Sequence, residues 1–282
     1  MKKSFVILLF SISLIIVSFS VCACAQDTHA KEYSINTVTK LKQELNEAYS
    51  DGKMTKQEKA RISEQLNPNI LSEFIAQKME KANEVIAKAD IDVDEILSQD
   101  SNGESGSVKL DLGDHCTALV EFEDKEESEL VSSLENTLLP SAYAATNGES
   151  MWKSYGNRYF TAKKSVLSGV GTATIKLENH YKVSSNGLDE RYGDPYVSFN
   201  FSAGITGTIT AGNVIISDKT ARTPGKSDIN MYARFPYQYT TSAGGIAASS
   251  GGTFKLSTTV KYLAKNASSK KIKVKHSWSV TS

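Results

Sequence analysis

A small N-terminal helical region followed by an antiparallel β-sandwich, or a small β-barrel, is the α plus all-β fold class that this 282-residue sequence predicts. Three observations predict it. Apolar residues recur at helical spacing between residues 35 and 98. After residue 107 the period drops to two. From about Asn157 onward, runs rich in Val, Ile, Thr, Tyr and Phe alternate with Gly, Ser, Asn and Pro breaks, without a helical stretch between them.

Residues 1–25 read as a signal peptide. Lys2 and Lys3 form its positive start, Phe5 to Val21 its apolar stretch, and Ala23-Cys24-Ala25 the small residues that a signal peptidase needs. The chain is therefore expected to be secreted to the extracellular side. Val21-Cys22-Ala23-Cys24 is a loose lipobox, so a lipid anchor on Cys24 is the alternative. Once the leader is removed, only Cys116 remains, and no intramolecular disulfide can form. Beyond the leader no apolar run approaches the roughly 20 residues that span a bilayer.

An acidic helical region is expected over 26–100. Val38, Leu41, Leu45 and Ala48 share one helix face, and Asp51-Gly52 makes a turn. Thr55 and Glu58 form a capping box for a second helix. Asn67-Pro68 starts a third, whose stripe runs from Ile70 and Leu71 through Phe74, Ile75, Met79, Ala82 and Val85 to Ile86. Residues 101–107 have a linker's composition. Residues 108–145 read as a β-hairpin turning at Gly113-Asp114, then an acidic connecting segment with a short helix carrying Leu130, Val131, Leu134 and Leu138 that ends at Pro140. Ala142-Tyr143-Ala144 resembles a processing site without the apolar stretch that signal peptidase requires. A boundary near residue 145 is expected to divide two folding units, the alternative being a hairpin that belongs to the β-domain. Residues 146–282 then form a basic, Tyr-rich β-sandwich domain of about eight strands.

The 32 basic and 32 acidic residues are unevenly distributed. Residues 26–145 carry 25 acidic and 12 basic side chains, whereas 146–282 carry 7 and 18. Either the acidic part keeps the chain soluble, or it docks on and neutralises a basic domain whose partner is anionic. Lys271, Lys273 and Lys275 alternate with Ile272, Val274 and His276, which puts three ammonium groups on one strand face beside Lys270. They form a candidate anion-binding stripe, or a guard of lysines on an edge strand. Both tryptophans, Trp152 and Trp278, and nine of the twelve tyrosines lie in this part of the chain. Tyr196, Tyr237 and Tyr239 are candidate surface aromatics, plates with polar tips suited to sugars or surfaces.

Catalytic patterns are weak. Asp114-His115-Cys116 places an imidazole beside a thiol, but neighbours on a strand point to opposite faces. Glu178 and His180 share a strand face about 7 Å apart, without a nucleophile at hand. Asp51-Gly52 to Glu58 resembles the back half of a calcium loop, yet Tyr49 stands where an oxygen ligand is needed. No catalytic residue, cofactor or metal is expected, and no nucleic-acid motif is present. The expected function is that of an exported noncatalytic protein binding an anionic cell-envelope or extracellular polymer, such as a polyphosphate, an acidic polysaccharide or an anionic lipid surface. A secreted toxin with an acidic pro-region, and a hydrolase with an unrecognised site, are the alternatives.

Overall fold

The computed structural model describes residues 33–100, 103–127, 151–168, 171–201, 205–243 and 246–281. The leader, the expected helix at 130–138 and Ala142-Tyr143-Ala144 lie outside these residues. Among the described residues four helices come first, namely α1 (Val38–Ala48), α2 (Lys56–Gln65), α3 (Pro68–Lys88) and α4 (Val93–Leu97). Thr37, Thr55, Asn67 and Asp92 each cap one of them through a side-chain oxygen. The Thr55/Glu58 capping box is complete, and Pro68 opens α3 where its missing N–H costs nothing. The helices bury the expected stripe of Leu41, Leu45, Leu71, Phe74, Ile75, Met79, Ala82 and Ile86.

Among the described residues twelve strands follow in two antiparallel sheets. β1 (Ser105–Gly113), β2 (Cys116–Glu126), β4 (Gly156–Ser168), β5 (Gly171–Ser184), β6 (Gly187–Phe201) and β9 (Thr220–Ala221) form the first sheet in the order β1-β2-β4-β5-β6-β9. The second contains β3 (Trp152–Ser154), β7 (Ile205–Ile209), β8 (Val214–Asp218), β10 (Asp228–Ala243), β11 (Ile246–Asn266) and β12 (Lys271–Thr281). Its order is β3-β12-β11-β10-β7, with β8 also on β10. The sheets meet in a sandwich-like arrangement. Phe122 meets Trp278 edge to face at 5.2 Å, and Asn179 Nδ2 donates to Thr258 Oγ1 across the interior at 3.3 Å. Among the described residues neither sheet closes into a barrel. No helix there is long and apolar enough to cross a membrane.

The hairpin turns where expected, with Gly113, Asp114 and His115 all at positive φ. Lys78 of α3 reaches into this turn, donating to the carbonyls of Leu112 and Gly113 and pairing with Asp114 at 2.8 Å. β2 then pairs with β4 along ten residues, from Thr117 with Leu167 to Glu126 with Arg158. This corrects the expected partition. The strands before and after residue 145 are neighbours in one sheet, and the described residues from Tyr33 onward form a single packing unit. The acidic stretch after Glu121 is strand rather than connector up to Glu126, because Phe122 and Asp124 turn inward while Glu121 and Glu123 turn outward. The expected linker is partly strand as well, since β1 begins at Ser105.

Helix α3 touches β1, β2 and β4 of the first sheet and β10, β11 and β12 of the second, so it covers an opening between them. Helix α4 crosses β1 so closely that a Cβ on Gly106 would lie 2.1 Å from the Ile96 carbonyl oxygen; only glycine fits there. Helices and sheets share one continuous apolar core.

Candidate ligand-binding face

On β12 the side chains of Ile272, Val274 and His276 are buried, and those of Lys271, Lys273 and Lys275 lie on the opposite, outer face. Lys271 and Lys275 are exposed and Lys273 is half-buried. Strand geometry spaces them about 7 Å apart. Lys270 stands apart from the row. It ends the β11–β12 turn at φ 52°, and its carbonyl accepts the Tyr155 N–H.

Sheet pairing adds three cations. Lys261 lies directly across from Lys275, and Arg234 across from Lys255. Between these two groups run Ser257, Thr259, Ser277 and Ser279, so the outer face of the second sheet is basic at both ends and rich in hydroxyls between. Lys255 Nζ lies 4.2 Å from the centre of the Tyr232 ring, and the Arg234 guanidinium 5.8 Å from it. Among the described residues no carboxylate comes within ion-pair distance of Arg234, Lys255, Lys261, Lys271, Lys273 or Lys275. Asp228 lies directly across from Lys261, and Asp218 across from Asn230, on this same sheet, and among the described residues neither is within ion-pair distance of a cation.

β12 is not an open edge. β3 pairs with it at Lys271 to Lys273, the Val274 N–H donates to the Met151 carbonyl at 2.8 Å, and the His276 N–H donates to the Asp94 carboxylate at 3.1 Å. The amides that would invite another strand are used up to His276, so lysines are not needed there as guards. Across the ladder from Lys273, Trp152 sits half-buried on the same outer side. Trp152, Asn266, Ser269 and Lys271 line a notch of about 240 Å³ at this end of the face.

The candidate surface aromatics fare differently. Tyr196 is 51% exposed, at the first sheet, with Lys176 Nζ 5.7 Å from its ring centre. Tyr237 is a correction. It follows Met231, Ala233 and Phe235 on the inward alternation of β10 and stacks on Phe254 at 4.5 Å, so it is a half-buried core ring and not a surface plate. The side chain of Tyr239 lies outside the described residues.

The interior holds an ion cluster that sequence reasoning missed. Asp124 is fully buried, with Lys153 Nζ at 2.6 Å, Arg158 Nε at 3.1 Å, His276 Nε2 at 3.1 Å and the Tyr181 hydroxyl donating at 3.0 Å. His276 Nδ1 faces Asp94 at 2.8 Å, which ties α4 to both sheets. Burial pushes the Asp124 pKa upward, but the charges of Lys153, Arg158 and His276 outweigh it and hold the carboxyl well below the usual range. Burial likewise lowers His276, and Asp124 and Asp94 more than reverse that. The cluster is buried and joins five strands and a helix, each member committed to another, so it ties the fold together. Alternation could have placed Asp124 inward, but its partners come from four separate stretches of chain.

Glu178 and His180 are brought together, with Nε2 2.9 Å from the carboxylate, and Glu127 takes the other ring nitrogen at 2.5 Å. Tyr192 stacks on the imidazole at 4.1 Å, and Arg191 pairs with Glu127. Both ring nitrogens are thus committed to carboxylates, in a part-buried ion cluster that the Tyr192 hydroxyl joins through Glu127. Cys116 is fully buried and its thiol is pushed up to about 11 by burial, while His115 turns away to stack on Tyr49 at 4.4 Å. Glu58 spends its carboxylate on the Thr55 N–H and hydroxyl, so it is not free to serve a calcium loop. Comparison with models of protein families, with curated proteins and with solved structures finds no match to this chain.

Proposed function

We propose that this is an exported, noncatalytic binding protein whose second sheet presents its outer face to an anionic cell-envelope or extracellular polymer. The observation that carries the reading is a set of six cations on one sheet face without a carboxylate partner among the described residues. Cations gathered without counter-charges repel one another, and an extended polyanion relieves that repulsion at several points at once. The hydroxyls of Ser257, Thr259, Ser277 and Ser279 supply neutral hydrogen bonds along the same track. Export follows from Lys2, Lys3, the apolar stretch and Ala23-Cys24-Ala25. The described helices pack at the opening and edge of the sheets and leave Arg234, Lys255, Lys271 and Lys275 exposed, so α1 to α4 do not cover this face.

The test is sedimentation of the full chain with an anionic polymer and with a neutral one at low and high salt. Binding confined to the anionic polymer, weakened by salt and lost when Lys271, Lys273 and Lys275 are together replaced by Gln, supports the reading. Equal binding to the neutral polymer overturns it.

A further inference from the structure

The notch at the Lys271 end of the basic face differs in chemistry from the rest of that face. Its indole, Trp152, is carried on the three-residue strand β3 and stands beside the lysine row, one strand over from Lys273. Among the described residues no aromatic ring or cation stacks on it, in contrast to Trp278, which meets Phe122 in the core. A solvent-facing indole is an apolar plate that calls for a partner with a flat or C–H-rich face. A bare chain of phosphates has no such face.

The polar groups around the indole are oriented by the β11–β12 turn. Asn266 Oδ1 accepts from the Ser268 hydroxyl at 2.8 Å and from the Ser269 N–H at 3.1 Å. Those bonds fix the amide and leave its Nδ2 donors without a protein acceptor among the described residues. The notch thus combines an apolar plate, an amide donor, the Ser269 hydroxyl and the Lys271 ammonium. At about 240 Å³ it is smaller than the roughly 300–1,000 Å³ of sites that enclose a whole small molecule. It suits one ring of a longer chain that continues along β12.

We propose that this notch is a subsite for one sugar ring of an acidic polysaccharide, stacked on Trp152, hydrogen-bonded by Asn266 and Ser269, with its acidic group on Lys271. The proposal rests on the reading of the lysine face as a polymer-binding surface and narrows the polymer from polyanions in general to those built of rings. Charge along Lys271, Lys273 and Lys275 supplies attraction, and the indole supplies the preference for a sugar.

The experiment measures the affinity of the full chain for polygalacturonate, which carries a ring and a carboxylate in each unit, and for inorganic polyphosphate of matched charge number, which has no rings. The wild type is expected to favour polygalacturonate. Trp152→Ala is expected to weaken polygalacturonate about tenfold and leave polyphosphate unchanged, while Trp152→Phe, which keeps a plate and checks that the strand still folds, retains most of the affinity. Equal loss for both polymers, or no loss for either, overturns the subsite. If the subsite alone is wrong, both polymers still bind and both are released by the triple Lys→Gln replacement. If the wild type binds neither polymer, the reading of the whole face falls with it.

Discussion

The two outer faces of the sheets carry comparable numbers of cations but pair them to different extents: on the first sheet most face a carboxylate, Lys109 and Lys182 being the exceptions among the described residues. On the first sheet Lys163 pairs with Glu121 at 2.7 Å, Lys176 with Glu178 at 2.9 Å and Lys125 with Glu123 at 3.4 Å, and Arg191 pairs with Glu127. On the second sheet Arg234, Lys255, Lys261, Lys271, Lys273 and Lys275 have no such partner among the described residues. The pairing pattern follows the chain's charge split. The acidic part brings Glu121 of β2 to Lys163 of β4 and Glu127 to Arg191 of β6, while Lys176 meets Glu178 within β5; β10, β11 and β12 pair with one another inside the basic part. A paired cation is occupied with holding the structure together; an unpaired one is available to a ligand.

The interior sets the upper limit of that contrast. Asp124 is the carboxylate that Lys153, Arg158 and His276 share in the core, so Asp124→Asn leaves more buried positive charge uncompensated and should cost about 3–5 kcal/mol of stability, measured by urea unfolding. Because its pKa is depressed in the folded state, the stabilisation it gives is present above its unfolded value of about 3.9. It is lost as pH falls through the folded value, so the variant should also show a flatter acid limb.

Lys164 is a buried cation without a carboxylate at ion-pair distance among the described residues. Held by Asn83 of α3 and 5.1 Å from the Phe254 ring centre, it has its pKa pulled down to about 7 by burial. The unfolded chain then binds more protons than the folded one between about pH 7 and pH 10, and stability should climb across that window. Lys164→Met is expected to abolish the climb and to add about 1–4 kcal/mol at pH 6, read from the same unfolding curves. A loss of stability at pH 6 would mean that the ammonium has a counter-charge after all.

The outer faces should respond more weakly, and in different observables. Replacing Lys271, Lys273 and Lys275 by Gln should leave the unfolding free energy within about 0.5 kcal/mol while releasing anionic polymer. Lys163→Gln on the first sheet should do the reverse. It should cost up to about 1 kcal/mol through the lost pair with Glu121 and leave polymer binding unchanged. If both replacements affect binding alike, the contrast between the faces has no functional meaning.

Much of this was legible along the chain because it is local. The Thr55/Glu58 box, the Asn67-Pro68 helix start, the turn at Gly113 and the alternation of Lys271, Lys273 and Lys275 all depend on residues a few positions apart. What escaped depends on long-range pairing. Helix α4 is five residues and β3 is three, too short to show a period. The first half of β6 carries Asp189, Glu190 and Arg191 and reads as a loop, yet Glu190 turns inward, where burial lifts its carboxyl to about 8, and Asp189 pairs with Arg222. The candidate face itself was half visible. Lys255, Lys261 and Arg234 join the β12 lysines only through the β10-β11-β12 order, which no single window of sequence contains.

The most direct test is the salt dependence of polymer affinity, wild type against the Lys271, Lys273 and Lys275 triple Gln variant of the full chain. Each cation that neutralises a polymer charge releases a condensed counterion, so the slope of log affinity against log salt counts the contacts, at roughly 0.7–0.9 per contact on nucleic-acid polyanions. The account predicts a steep negative slope for the wild type that becomes shallower by about two to three in the variant, with unfolding unchanged. An identical slope in the two proteins would contradict it.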